Sequence, residues 1–344
     1  MSDKLPLLGI SMGDPGGIGP EIAAKALADE KIYKICRPLI VGTKDIMENA
    51  IKFSKLDGFK INVVKEPCEG LYQFGTIDVY DMDNLPLADL RHKTVTPEQG
   101  RASFEYVAKV IELALEGKID GTVTGPINKA AINSAGFHYA GHTEIYADKT
   151  GVKDYAMMLA DGGFRVSHVS THVSLRVACD RVKKERVLKV ISLTNDALHK
   201  LGLENPKIAV AGLNPHCGEE CLFGTEDEKE IKPAVIEAAA KGMNVEGPIP
   251  ADTVFAKMLG GQYDAVVVMY HDQGHIPIKL QGFKYDEKTN TWGQMSGVNV
   301  TLGLPIIRTS VDHGTAFGKA GEGRATPQSM IDAIEMAAQL AGSK

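Results

Sequence analysis

Short apolar runs alternate with longer amphipathic stretches along this chain, and that alternation predicts an α/β protein. Residues 5–12 and 38–42 read as buried strands, as do the apolar runs beginning at Ile119 and Lys207. Residues 265–269, Ala-Val-Val-Val-Met, have the length and β-branching of a strand buried on both faces. Residues 164–176 alternate apolar and polar in strand fashion and end near His172. Helices follow from the 3.6-residue period. Over residues 96–117, Phe104, Val107, Ala108, Ile111, Ala114 and Leu115 make one face, Thr96 can cap, Pro97 takes the first position and Gln99 completes a capping box. Residues 182–201 carry a second such face through Val187, Val190, Ile191, Thr194, Leu198 and Leu201. Thr225 and Glu228 form another capping box. Thr326 and Pro327 open a last helix with Ile331, Ile334, Ala337, Ala338 and Ala341 inward.

The segments between these elements hold most of the polar chemistry. Residues 13–21, GDPGGIGPE, match neither G-x-G-x-x-G nor the Walker A spacing, and Asp14 and Glu21 would repel a diphosphate. They read as a tight strand-to-helix turn with Pro20 in the first helical turn, a phosphate cradle being the alternative. Lys129 stands just past a predicted strand end, where it either meets an anion or is solvated. His142, Thr143 and Glu144 read as a helix cap. Residues 247–253 form a rigid loop bearing Asp252. Residues 264–279 run from the plainest strand into two imidazoles, a carboxylate, an amide and an amine, and Gly274 and Pro277 argue against a continuous helix there. Residues 281–297, with the only tryptophan, Trp292, read as an inserted hairpin or flap.

Three apolar runs end in a histidine: His172, His216 and His271. Strand C-termini of one sheet converge, and neutral imidazole is the commonest nitrogen ligand of a catalytic divalent ion. These three are the candidate metal ligands, whereas His138, His168 and His199 lack such placement and read as structural.

Composition narrows the class. A chain of 344 residues exceeds one comfortable core, so two domains or lobes are expected. A net charge of −6 with the signs interspersed argues against a nucleic-acid partner. No apolar run approaches a membrane span and the N-terminus lacks a secretory apolar stretch, so no membrane partner and a cytoplasmic location are expected. Five scattered cysteines fit reduced thiols, with a metal role for Cys217 and Cys221 as a minor alternative.

The motifs GDPGGIGPE, TGPINK, GHTE, STH, LNPHCGE, PADT, YHDQG, GVNVTLGLP and TSVDHGTA occur in this order over nearly the whole chain. Together they resemble the 4-hydroxythreonine-4-phosphate dehydrogenase family. The resemblance implies two α/β/α lobes with a cleft between them, as in isocitrate and isopropylmalate dehydrogenases. The first lobe would hold residues 1–140 and 300–344, and the second, with metal ligands and dimer contacts, residues 141–299. It implies a homodimer with shared active sites and one divalent ion per site (zinc, magnesium, manganese or cobalt) on His172, His216 and His271. NAD, with NADP as an alternative, would be the oxidant. Substrate contacts would be His142, Thr143, Lys279, Asn299 and Arg308, and Asp312, His313, Gly314, Thr315 and Ala316 would belong to the cofactor's adenosine-side loop.

The implied reaction is oxidation and decarboxylation of a 4-phosphorylated four-carbon 3-hydroxy acid. One substrate is 4-phosphohydroxy-L-threonine, which would yield 3-amino-2-oxopropyl phosphate. The extended wording YHDQGHIPIKL and DYAMMLA instead resembles the branch acting on D-threonate or D-erythronate 4-phosphate, which would yield dihydroxyacetone phosphate. On that wording His275 becomes a candidate for substrate discrimination. Asp252 and Asp272 are the candidate carboxylates for proton transfer or ligand orientation. The competing readings are a metal-dependent phosphatase or other hydrolase using the same histidines, and a non-catalytic small-molecule sensor.

Overall fold

The computed structural model describes residues 5–282, 285–286, 291–292 and 296–342. The chain divides into two compact units, one from residues up to Val152 together with Leu304–Gly342, the other from Lys153–Gly303. The dividing points fall later than residues 140 and 300. Ile145 and Tyr146 explain the first shift: they pack with Phe104, Val107, Ile111 and Ile132, so the helix His142–Thr150 joins the first unit's core.

In the first unit the strands run parallel in the order Lys60–Val64, Thr76–Asp81, Arg37–Gly42, Leu7–Ser11, Gly121–Thr124 and Arg308–Val311. Leu7–Ser11 is buried along its whole length, as a central parallel strand covered on both faces must be. It is also where the order reverses. The chain moves to one side for Arg37–Gly42, while Gly121–Thr124 lies on the other, so its C-terminal end is a topological switch point. Pro97–Leu115 forms the long helix that the apolar period predicts, with Thr96 Oγ1 accepting from the Gln99 amide at 3.2 Å. The capping box is only half made. Gln99 instead accepts from Arg91 N and donates to Thr94 O, which ties down the preceding loop.

In the second unit the order is Val298–Leu302, Ala156–Asp161, Phe164–His168, Ala265–Val268, Ile208–Ala211 and Val245–Ile249. The first two joints are antiparallel and the remaining three parallel. Its core gathers Leu159, Phe164, Val166, Ala209, Val254, Met258, Val266, Val268 and Ile278. The amphipathic stretch after residue 182 becomes the helix Lys184–Lys200.

Four local expectations change. The strand predicted over residues 164–176 stops at His168, and Ser174 caps a short helix Leu175–Arg181, so His172 lies in the connection beyond the strand. Residues 271–282 are helical despite Gly274 and Pro277. Tertiary packing overrides the local signal here, because Gln273, Gly274, His275 and Ile278 form a buried face. Asp252 belongs to the first turn of the helix Ala251–Leu259 rather than to a loop. Thr225 does not cap; a wide turn Asp227–Ile231 leads into Lys232–Ala240, and Asp227 accepts from Leu213 N and Asn214 N instead. In the expected hairpin, Tyr285–Asp286 pairs antiparallel with Thr291–Trp292. Residues 283–284, 287–290 and 293–295 lie outside the described residues.

Candidate functional site

In the second unit, His271 opens its helix directly after the strand Ala265–Val268 and the two residues that follow it. Gln273 anchors this turn by accepting from Met269 N at 2.7 Å and donating to Gly212 O at 2.7 Å, which joins two strand ends. The Nδ1 of His271 bonds Asp272 Oδ1 at 2.7 Å. A carboxylate on Nδ1 selects the tautomer with an unprotonated Nε2, the form that binds a metal. The rings of His172 and His271 stand 5.7 Å apart between centroids. Two imidazoles at that separation can share one ion, since each metal–nitrogen bond spans about 2.1 Å.

His216 is placed differently. It sits in a turn of left-handed residues (φ 49° at His216, 55° at Cys217), its side chain 70% exposed and its Nδ1 bonded to Glu219 Oε2 at 3.2 Å. Among the described residues, no three His, Cys, Asp or Glu side chains of one chain converge on a common point suited to a metal. The structure therefore brings two of the three predicted ligands together and leaves His216 apart. Asp252 lies near the His216 turn and, after burial and Asp227, helps push the Cys217 thiol up to about 11.

Behind His271 stands a feature that strand-end reasoning missed. His275 stacks on His271, centroids 3.6 Å apart and planes within 9°, and bonds His271 O through Nδ1 at 2.9 Å. Buried His168 lies 4.8 Å further on and bonds Met157 O. Burial, chiefly, lowers His275 to about 4 and His168 to about 3, so both rings are neutral. Gly274 makes the column possible: a Cβ there would come within 2.4 Å of His168 Nε2. The spacing of His271 and His275, four residues apart, carried this signal only for a helix. Asn299, on the strand Val298–Leu302, donates to Met157 Sδ and keeps a buried Oδ1 without a partner. Lys279 lies in the helix His271–Gly282, partly exposed.

The first unit holds a separate cationic group. Arg308, 2% exposed, begins its strand, donates from Nη2 to Thr124 Oγ1 at 3.1 Å and lies over the Tyr146 ring. Burial lowers its guanidinium to about 10, with Tyr146 and Glu144 opposing, which leaves it charged at neutral pH. His142 opens the helix His142–Thr150, and Thr143 follows in its first turn. Burial first, then Arg308, hold the His142 imidazole well below its ordinary range, while Gly125 O accepts its hydrogen bond. Its Nε2 is left as a buried acceptor without a partner. Lys129 is exposed at a helix start, its Cε 3.7 Å from where a Gly141 Cβ would stand. A neutral ring, a hydroxyl and a buried guanidinium are suited to an oxyanion.

At the switch point, three loops meet. Asp14 N donates to Pro126 O at 2.8 Å and Ile18 N to Thr315 O at 3.0 Å. Gly13 has φ 76°, and a Cβ would come within 2.6 Å of Pro126 O, so only glycine allows this approach. Thr315, like Gly314 and Ala316 beside it, belongs to the turn after the strand Arg308–Val311; Asp312 N donates to Ser329 Oγ, and His313 bonds Gly314 O.

Asp14 is buried in this loop, with Oδ1 accepting from Gly16 N and Oδ2 without a partner. Burial raises its carboxyl to about 6, against the opposing Gly16 hydrogen bond. A raised acid keeps its proton in the folded state while the unfolded chain loses it, so stability falls as pH climbs from about 4 to about 6. Asp14→Asn is therefore expected to stabilise the protein by up to about 3 kcal/mol near neutral pH and by little near pH 4. Thermal unfolding followed across that range checks this, and an equal effect at every pH would refute it.

One α/β unit carries paired imidazoles beyond a strand end, and the other carries a buried arginine against Thr124 and a glycine-rich loop at its switch point, the kind of place where open α/β sheets bind ligands. The family described as pyridoxal phosphate biosynthetic protein PdxA matches residues 34–337. The chain is 47% identical over 343 residues to a Symbiobacterium thermophilum protein named "Putative D-threonate 4-phosphate dehydrogenase", covering 99% of this chain and 98% of the relative. Among solved structures it is 42% identical to a 4-hydroxythreonine-4-phosphate dehydrogenase from Burkholderia phymatum, with a TM-score of 0.84 and coverage of 98% and 99%. The corresponding Klebsiella pneumoniae enzyme is 40% identical, with a TM-score of 0.86 and 99% of each chain covered. The chain belongs to the PdxA family and is an oxidoreductase of the dehydrogenase type. Among the described residues, no helix is long and apolar enough to cross a membrane.

Proposed function

We propose that the protein oxidises the 3-hydroxyl of a 4-phosphorylated four-carbon hydroxy acid with NAD and releases carbon dioxide, and that D-threonate 4-phosphate is its substrate. The observation that carries this choice is the 47% identity over 343 residues to a protein bearing that substrate's name. Hydride leaves C3 for the nicotinamide, the hydroxyl proton leaves with it, and the resulting β-keto acid loses its carboxylate as carbon dioxide. The pair of electrons from the broken bond becomes an enolate that takes a proton at C2, giving dihydroxyacetone phosphate. His172, His216 and His271 would hold a divalent ion, which when bound would supply Lewis-acid chemistry for the oxidation and the decarboxylation.

The chain's own residues divide the remaining work. Asp272 orients the His271 ring through its 2.7 Å bond. Arg308, His142 and Thr143 take the substrate's anionic groups, with Lys279 as a further point charge and Asn299 as a polar contact. Asp252 is assigned to proton transfer, and the segment from Asp312 to Ala316 receives the adenosine end of NAD.

The active unit in this proposal is a homodimer in which His216 comes from the partner subunit. Two observations support it: His172 and His271 share a locality that His216 does not complete within one chain, and exposed apolar side chains follow each histidine. These are Leu175 (61%), Leu222 (72%), Ile276 (58%) and Leu280 (77%), side chains that a second copy of the chain would cover.

The test is a panel of D-threonate 4-phosphate, D-erythronate 4-phosphate and 4-phosphohydroxy-L-threonine with NAD or NADP and several divalent ions, read by formation of reduced nicotinamide and by product identity. The expected result is highest kcat/KM on D-threonate 4-phosphate, with dihydroxyacetone phosphate formed only when nicotinamide is present. Phosphate release without nicotinamide would establish the hydrolase reading instead.

A further inference from the structure

The segment from Asp312 to Ala325 is held against the first helix, Gly19–Ala26, at both of its ends. Near its start, Ile18 N donates to Thr315 O at 3.0 Å, and Thr315 packs so closely on Gly17 that a Cβ there would lie 2.9 Å from it. Near its end, Glu21 Oε1 accepts from Ala325 N at 2.6 Å and from Lys25 Nζ at 2.7 Å. Lys25 Nζ also donates to Gly323 O and Ala325 O, each at 2.8 Å. All three ammonium donors are therefore used, one on Glu21 and two on the backbone of the segment. Glu21 is 1% and Lys25 17% exposed, so these bonds form away from bulk water. Between the two ends, Gly321 lies under the His92 ring and Gly323 against Phe53 O, while Lys93 and Arg324 both bond Glu322.

A buried lysine–glutamate pair contributes little net stability, because desolvation offsets most of its attraction. What this pair does contribute is direction. Carbonyls and an amide in a glycine-rich turn have few side chains to hold them, and a charged donor and acceptor set their orientation. We propose that Lys25 and Glu21 are positioning residues of the dinucleotide site: they hold Gly323–Ala325, and through it the turn from Asp312 to Ala316, in the conformation that accepts the adenosine end of the cofactor. This rests on the reading of that turn as cofactor-binding. Lys25 itself touches no ligand; it acts through the backbone it fixes.

If loosening leaves the segment competent about a tenth of the time, the apparent Kd for NAD rises about tenfold, while kcat at saturating NAD and the KM for the acid stay near their original values. The experiment compares the full-length protein with Lys25→Met, Glu21→Gln and His313→Ala. NAD affinity is read by calorimetry, and hydrogen exchange of residues 312–325 is read without cofactor. The expected result is weaker NAD binding in all three variants, with faster exchange of 312–325 in Lys25→Met and Glu21→Gln. Weaker binding in His313→Ala with unchanged affinity in both Lys25→Met and Glu21→Gln overturns the positioning role and leaves the cofactor reading intact. Unchanged affinity in all three overturns the cofactor reading and the inference with it. If Lys25→Met unfolds, Glu21→Gln, which keeps an acceptor for Ala325 N, decides the matter alone. Parallel losses in kcat and in both KM values would show a general structural role and would also overturn it.

Discussion

Substituting His216 by alanine is expected to lower metal-dependent turnover about a thousandfold, roughly 4 kcal/mol of transition-state stabilisation, without unfolding the protein. The ring is 70% exposed and its one hydrogen bond, to Glu219, runs over the surface, so its loss removes no core packing. His271→Ala should be equally inactive, and the pair offers a sharper test than either alone. If each site takes His172 and His271 from one subunit and His216 from the other, mixing the two inactive proteins creates hybrid dimers with one site carrying both substitutions and one carrying neither. Random reassortment then restores about a quarter of the original activity. Turnover in mixtures no higher than in either variant would show that each chain builds its own site. Full activity of metal-stripped His216→Ala would remove the metal role altogether.

The second large effect belongs to Arg308. Replacing it with methionine keeps much of the volume and removes a buried charge that Thr124 and Tyr146 hold in place. A two-pronged guanidinium–phosphate contact loses two charge-assisted hydrogen bonds of about 1.5–3 kcal/mol each, so KM for the phosphorylated acid should rise a hundredfold or more. The same acid without its phosphate should bind nearly as well to the variant as to the original protein. The melting temperature should hold or increase, because a buried cation is exchanged for an apolar chain. Equal effects on both substrates would place Arg308 elsewhere in the reaction.

The candidate residues of the site are marked locally along the chain. His172, His216 and His271 each follow an apolar run, and Arg308 stands at the head of one. Where reading failed, distant residues had decided the local structure. Pro277 and Gly274 argued against a helix over residues 271–282, yet the helix forms because its buried face meets the second unit's sheet, where Gly274 admits His168. The strand thought to reach Arg176 ends eight residues earlier, at His168, since Ser174 caps a new helix. His168, which its place in the sequence marks as structural, and His275, the candidate for substrate discrimination, together back the His271 ring, a contact that neither position announces.

What the amino-acid order determined by itself was the set of elements and the chemical inventory: buried strands, amphipathic helices, imidazoles beyond strand ends, a glycine turn at the first strand. Those follow from side-chain periodicity and backbone preferences, which act over a few residues. The tertiary structure alone decided which groups meet. It stacked His275 on His271, set His172 beside them and left His216 apart, and it joined Lys25 and Glu21 to a backbone some 300 residues away in the chain. Such meetings depend on strand order and on how closely each strand packs against its neighbours, and no local pattern encodes either.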